Sequence, residues 1–277
     1  MIEKLGFFHF GNYWDDPIDS LRCALKGNTL DEVRDSLIVL PEAFNIGQQY
    51  YDDSPEKPWN TKSSVQKRLR RICTDFGLSL LGGLIIEKPG DPYPPYSSAY
   101  LVTATDPIPI LICHKECKDT NGVVDGNGAN QGTSAQLLRK RYTACARDQC
   151  DPSNPKRFEN LSLIALICKD AYLNDHHCPD TSKRHKDLKD KLKTDNHNDT
   201  LTVICIPAHI PHYPRSGLYE QWNNSYVVVA NSSDDLREPG SFIAKVDEQG
   251  QAVVREVCQG QKNVVKVVEC ARRSHCS

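Results

Sequence analysis

The 277-residue chain carries 34 Lys and Arg against 36 Asp and Glu, a formal charge of −2, so no global field draws it to nucleic acid or to an anionic membrane. Its 39% hydrophobic content is enough for a large buried core, and no apolar run approaches the roughly 20 residues that span a bilayer. The opening "MIEKLGFFHFGNYW" lacks the basic stretch and long apolar segment of a secretory leader, which predicts a cytoplasmic protein. Its twelve scattered cysteines are then expected as reduced thiols rather than a disulfide framework.

In chain order, "EKLGFFHFG" predicts a first strand and "PIDSLRCALKG" a helix. A short apolar strand, Leu37 to Leu40, ends at Pro41 and Glu42. "SSVQKRLRRICTDF" places Val65, Leu69 and Ile72 at near-helical spacing, followed by a turn at Gly77 and a strand from Leu78 to Ile86. Strands are expected at "SAYLVTA", at "IPILIC" and at "LSLIALI", the last ending against Cys168. "TSKRHKDLKDKLK" predicts a polar helix, "LTVICIPAHI" and "SYVVVANSS" two more strands, and "GSFIAKVDEQGQAVVREV" a hairpin turning at Gly250.

Strands alternating with helices early, and following one another late, predict a layered α/β fold with mixed sheets. No linker or internal repeat divides the chain, so residues 1–277 are expected as a single domain. The segments 87–96, rich in Pro and Gly, and 114–133, rich in Gly, Asn and Asp, predict insertions, the second a mobile loop.

Reactive groups stand where buried strands stop. Glu42 follows "LIVLP", Cys168 follows "LIALI", and a lysine, either Lys115 after "ILICH" or Lys140 in "LLRKRY", is the third. In α/β sheets ligands gather beyond the carboxyl ends of strands. A carboxylate there can take a thiol's proton, the thiolate is the competent nucleophile, and an ammonium can stabilise a developing oxyanion. Each group also has an ordinary role: a core thiol, a surface carboxylate, a solvated lysine between two arginines. The Cys and His clusters "CHKEC", "HHC" and "HIPH" contain possible zinc ligands, yet none has a second half at the spacing of a tetrahedral site.

The surrounding letters are more specific. "SLIVLPEAF" resembles the glutamate motif of the nitrilase superfamily, the carbon–nitrogen hydrolases, and "LIALICKDAY" its nucleophile motif. "FGLSLLGGLIIE", "LTVICIPAHI", "NNSYVVVANSS" and "GSFIAKVDEQGQAVV" resemble that family's further segments, in the same order along nearly the whole chain. The resemblance implies a four-layer α-β-β-α sandwich and a Glu-Lys-Cys triad that attacks a non-peptide C–N bond without a cofactor or metal.

On that resemblance Glu42 is the general base, Cys168 the nucleophile that forms a thioester, and the backbone N–H of Lys169 an oxyanion donor. Lys140 is favoured over Lys115 as the triad lysine. Asp148 stands nearest the family's second glutamate, one carbon shorter, and Lys169 replaces the usual aromatic after the nucleophile. Lys169, Asp148 and His209 are the expected substrate-binding residues. The substrate would be a small amide, N-carbamoyl compound or nitrile, with an amidase favoured over a true nitrilase, and a homodimer or higher homo-oligomer is implied. The alternatives are a catalytically impaired binding or regulatory protein on the same fold and a zinc-binding interaction module.

Overall fold

The structure is a computed structural model that describes residues 1–11, 16–42, 44–45, 62–86, 96–106, 109–114, 156–171, 181–194, 201–208, 222–232, 240–258 and 260–270. Its first strand, β1 (Lys4–His9), leads to α1 (Pro17–Lys26), a short α2 (Leu30–Val33) and β2 (Ser36–Leu40). Next come α3 (Lys62–Phe76), β3 (Ser79–Ile86), β4 (Tyr96–Val102) and β5 (Ile110–His114). The second half holds β6 (Lys156–Phe158), β7 (Leu161–Ala165), α4 (Thr181–Thr194), β8 (Leu201–Ala208), β9 (Ser225–Asn231), β10 (Ser241–Val246), β11 (Ala252–Cys258) and β12 (Val264–Glu269).

The local chemistry accounts for these boundaries. Asp16 caps α1 by accepting from the Ile18 and Asp19 N–H groups, with Pro17 supplying the preset φ of the first helical turn. Arg68 of α3 donates to both oxygens of Asp16 at 2.8 and 2.9 Å, which ties α1 to α3. Gly77 at φ +65° ends α3, and Gly250 at φ +81° turns the β10–β11 hairpin, both in a region that glycine enters without steric cost.

Two six-stranded mixed sheets result, in the orders β12-β1-β2-β3-β4-β5 and β11-β10-β9-β8-β7-β6. β1, β2 and β3 run parallel, as do β7, β8 and β9, while the flanking pairs are antiparallel. The expected α/β sandwich of four α-β-β-α layers is therefore the observed one. Alternation along single strands shows how. Leu37 and Val39 of β2 face the second sheet with Leu163, Ala165 and Val228, while Ile38 and Leu40 face Leu21, Leu25, Leu69 and Ile72 of α1 and α3. Ile164 and Leu166 point the other way from Leu163, toward Leu188 of α4 and Trp222. Central strands covered on both faces read as unbroken apolar runs for this reason.

Every strand and helix expected from the sequence is present, with small boundary shifts. Three elements were not anticipated. Helix α2 is one turn held by a capping box between Thr29 and Glu32, β6 is only three residues, and β12 crosses back to pair antiparallel with β1. Of the expected insertions 87–96 and 114–133, Tyr96 opens β4 and His114 closes β5, and the rest of each lies outside the described residues.

The intersheet layer is one of three buried apolar clusters, with the two helix-facing ones outside it. Leu163→Ala, at a fully buried position of that layer, is expected to cost about 2–5 kcal/mol. Val253→Ala on β11, at 54% exposure, should cost less than about 0.5 kcal/mol. Urea denaturation of the two variants checks the contrast.

Candidate functional site

Pro41 has no N–H to donate, so β2 cannot continue its ladder, and the chain turns toward the opposite sheet. The Glu42 N–H donates to the Ala208 carbonyl, 3.3 Å away at the end of β8, and the Phe44 N–H to the Gly83 carbonyl at 3.0 Å. Phe44 is buried edge-on against Phe8 and Phe10, with ring centroids 5.8 and 6.3 Å apart. These contacts leave Glu42 buried, with 5% exposure. Gly83 makes the approach possible: a Cβ there would lie 2.7 Å from Glu42 Cα and 3.0 Å from Pro207 Cβ.

Cys168 reaches the same end from the second sheet. β7 pairs with β8 so that Ala165 lies opposite Cys205, and the Leu166 N–H donates to the Cys205 carbonyl at 2.9 Å. Cys168 follows three residues after Ala165, beyond the same end of the sheet at which β8 finishes with Ala208, whose carbonyl accepts from Glu42. Cys168 is 3% exposed and has φ +51°, a left-handed conformation that costs a non-glycine residue about 1–2 kcal/mol. It opens a 3-10 turn, Cys168–Ala171, closed by the Asp170 N–H donating to the Ile167 carbonyl at 3.0 Å.

A second polar group lies where β1 meets β9. The Phe10 N–H donates to the Asn231 carbonyl at 3.3 Å. His9 Nδ1 is 2.9 Å from Ser241 Oγ, which in turn accepts from the Asn231 N–H at 2.9 Å. The Ser241 hydroxyl is also 3.5 Å from the Asn231 carbonyl, so it bridges the His9 ring to the Asn231 backbone.

Glu42 and Cys168 are thus brought to one end of the sandwich from opposite sheets. Lys115, Lys140, Asp148 and His209 lie outside the described residues, as does the Lys169 side chain, while the Lys169 backbone forms part of the 3-10 turn. His9 and His185, both buried near this end, were not singled out from the sequence. A periodicity signal did exist for His185, which shares a helical stripe with Leu188 and Leu192. Among the described residues, no group of three His, Cys, Asp or Glu side chains is placed to hold a metal ion. Cys113 of the "CHKEC" cluster instead donates its thiol to the Ala165 carbonyl at 3.3 Å.

Solved structures share this architecture. An amidase from Nesterenkonia sp. superposes with a TM-score of 0.56 at 14% identity, over 98% of this chain and 90% of that one. A CN-hydrolase superfamily protein from Xanthomonas campestris, with an arsenic adduct in its active site, gives 0.57 at 14% identity over 97% and 90%. The glutamine-dependent NAD+ synthetase from Acinetobacter baumannii gives 0.59 at 17% identity, over 98% of this chain but 46% of its own. The Nesterenkonia amidase belongs to the nitrilase superfamily, and in a variant of it acrylamide is added to the active-site cysteine. No family model matches the sequence, and no curated protein does. The chain has the nitrilase-superfamily fold.

Within this nitrilase fold, burial separates the thiols. It pushes Cys73 and Cys270 up to about 12 and Cys258 up to about 11, and it raises Cys205 further, with Cys113 nearby adding to the effect. Such thiols are poor nucleophiles at neutral pH. Burial also lowers His9 from 6.5 to about 4, opposed by the Asn231 backbone and reinforced by Lys262.

Two outcomes follow from this geometry. Gly83→Ala must displace backbone at Glu42 and is expected to cost about 1–3 kcal/mol. Gly27→Ala, where the nearest atom to a new Cβ is at 3.3 Å, should stay within about 1 kcal/mol; thermal melts of both report the difference. The unfolded chain binds a proton at His9 more readily than the folded one between its two pKa values. Stability should therefore fall as pH drops from 6.5 towards 4, by up to about 3 kcal/mol from this residue. Urea midpoints across that range should be flatter in His9→Gln than in the parent.

Proposed function

We propose that the chain is a cysteine-dependent hydrolase of small amides or related non-peptide C–N bonds. The observation that carries the proposal is Cys168, set in a left-handed conformation just past the carboxyl end of β7, at the same end of the paired sheets where the Ala208 carbonyl of β8 holds the Glu42 backbone. A mid-strand core thiol needs neither a strained φ nor a buried carboxylate at the same sheet end.

In the proposed reaction Glu42 takes the Cys168 proton, and the thiolate attacks the amide carbon. Charge develops on the carbonyl oxygen, which accepts from the Lys169 backbone N–H and lies near the ammonium of Lys140, favoured here over Lys115. The C–N bond breaks as the proton passes from Glu42 to the departing amine, leaving a thioester on Cys168. Water, deprotonated by Glu42, then attacks the thioester and releases the acid and the free thiol. Asp148, His209 and the Lys169 side chain are the proposed substrate contacts, the Lys169 cation favouring a carboxylate-bearing amide. The neighbours that share the fold include an amidase, which favours an amide over a nitrile. Assembly as a homodimer belongs to the same proposal.

Alkylation with iodoacetamide at pH 8, followed by peptide mass spectrometry, tests it. Cys168 should be modified at least about ten-fold faster than Cys73, Cys205, Cys258 and Cys270, with exposed Cys23 as the reference thiol. Glu42→Gln should slow Cys168 by about 10²-fold or more and leave Cys23 unchanged. Ammonia release from small aliphatic amides should vanish in Cys168→Ala. Uniformly slow labelling of all buried thiols, Cys168 included, would sink the proposal.

A further inference from the structure

The turn that carries Cys168 is gripped from α4, by a contact that the triad chemistry does not use. His185 Nε2 lies 2.9 Å from the Asp170 carbonyl oxygen. A carbonyl only accepts, so Nε2 carries the proton, and a neutral ring has its lone pair on Nδ1. His185 is 1% exposed. Its ring lies against Trp222, with centroids 5.4 Å apart and planes at 59°, and Lys189, one turn along α4, places its ammonium 5.7 Å from the same indole. Leu188 packs beside them in the outer core. The imidazole is therefore fixed by packing before it meets the turn.

We propose that His185 is a positioning residue for Cys168: by donating to the Asp170 carbonyl it holds the 3-10 turn whose first residue is forced to φ +51°. The last carbonyls of so short a turn lie outside its own hydrogen bonds. Without an external donor the turn can relax, and the first residue to gain is Cys168, which would return to negative φ and swing its sulfur away from the Glu42 side. This role rests on the reading of Cys168 as the nucleophile, but the hold on the turn can be measured separately.

Three variants of the full chain separate the donor from the ring. His185→Phe keeps an aromatic against Trp222 and removes the donor. His185→Gln places an amide N–H at the reach of Nε2, whereas His185→Asn has the same group one methylene too short. Amide hydrogen exchange of the peptide spanning residues 166–172, and the iodoacetamide rate of Cys168 normalised to Cys23, are read in each.

Exchange is expected to rise, and alkylation to fall, by about ten-fold or more in His185→Phe and His185→Asn. His185→Gln should stay within about three-fold of the parent, as a recovered hydrogen bond requires. Parent-like exchange in His185→Phe, or an equal rise in the Gln and Asn variants, overturns the proposal. Should His185→Phe fail to fold, the Gln and Asn pair decides alone. An unreactive Cys168 in the parent would remove the nucleophile reading, while the exchange data would still decide whether His185 holds the turn.

Discussion

Hydrogen bonds that cross from one sheet to the other hold one end of the sandwich together. Ladders satisfy the backbone within each sheet, and packed sheets lie about 10 Å apart, a separation that by itself would keep strand ends from different sheets apart. The Glu42 N–H reaching the Ala208 carbonyl, and the Phe10 N–H reaching that of Asn231, close the gap at two points. The Ala208 carbonyl also accepts from the Ser232 N–H at 3.2 Å. One acceptor at the end of β8 therefore joins β2 of the first sheet to the exit of β9 in the second.

That closeness dictates small residues and admits polar ones. Gly83 and Gly240 stand where a Cβ would come within 3 Å of Glu42 Cα and His9 Cε1 respectively. The same region collects His9, Glu42, Asp170, His185 and Asn231, all at 5% exposure or less. Burying such groups unpaired would cost several kcal/mol in total. His9 with Ser241, and His185 with the Asp170 carbonyl, turn part of that cost into geometry by fixing which way the chain leaves each strand. A purely apolar junction of the same volume would pack, but it would not select one turn conformation over another.

Much of the fold was legible because its strands are covered on both faces. Runs such as "SLIVL" and "LSLIA" contain no polar residue that a buried strand must avoid, apart from serines whose hydroxyls can reach backbone acceptors, as Ser36 does to Val33. What escaped was short or decided by tertiary contact. Three residues of β6 hold no period, and "VVKVVE" of β12 becomes a strand by pairing with β1, some 260 residues earlier in the chain. The Thr29-to-Glu32 capping box follows a pattern visible in the sequence, but a single turn leaves no apolar period beside it. The strand-end positions of Glu42 and Cys168 could be read from their apolar runs, whereas the place of His9 is decided by a partner distant in sequence, Ser241 lying 232 residues away.

The thiols set the last constraint. Cys168 is as buried as Cys113 and nearly as buried as Cys205, so solvent access does not single it out. Burial raises a thiol and makes it inert, as it chiefly does for Cys205. The two acids at this end, Glu42 and Asp170, would oppose a thiolate further while ionised. A nucleophile here therefore needs a cation to offset both effects, in addition to a base to take its proton. No Lys or Arg close to Cys168 in the sequence precedes it on β7, so the cation has to come from another segment or from Lys169 itself. Lys140 is the residue proposed to bring it, and on that proposal the Glu-Lys-Cys combination answers the electrostatic need of a thiolate placed at a buried strand end.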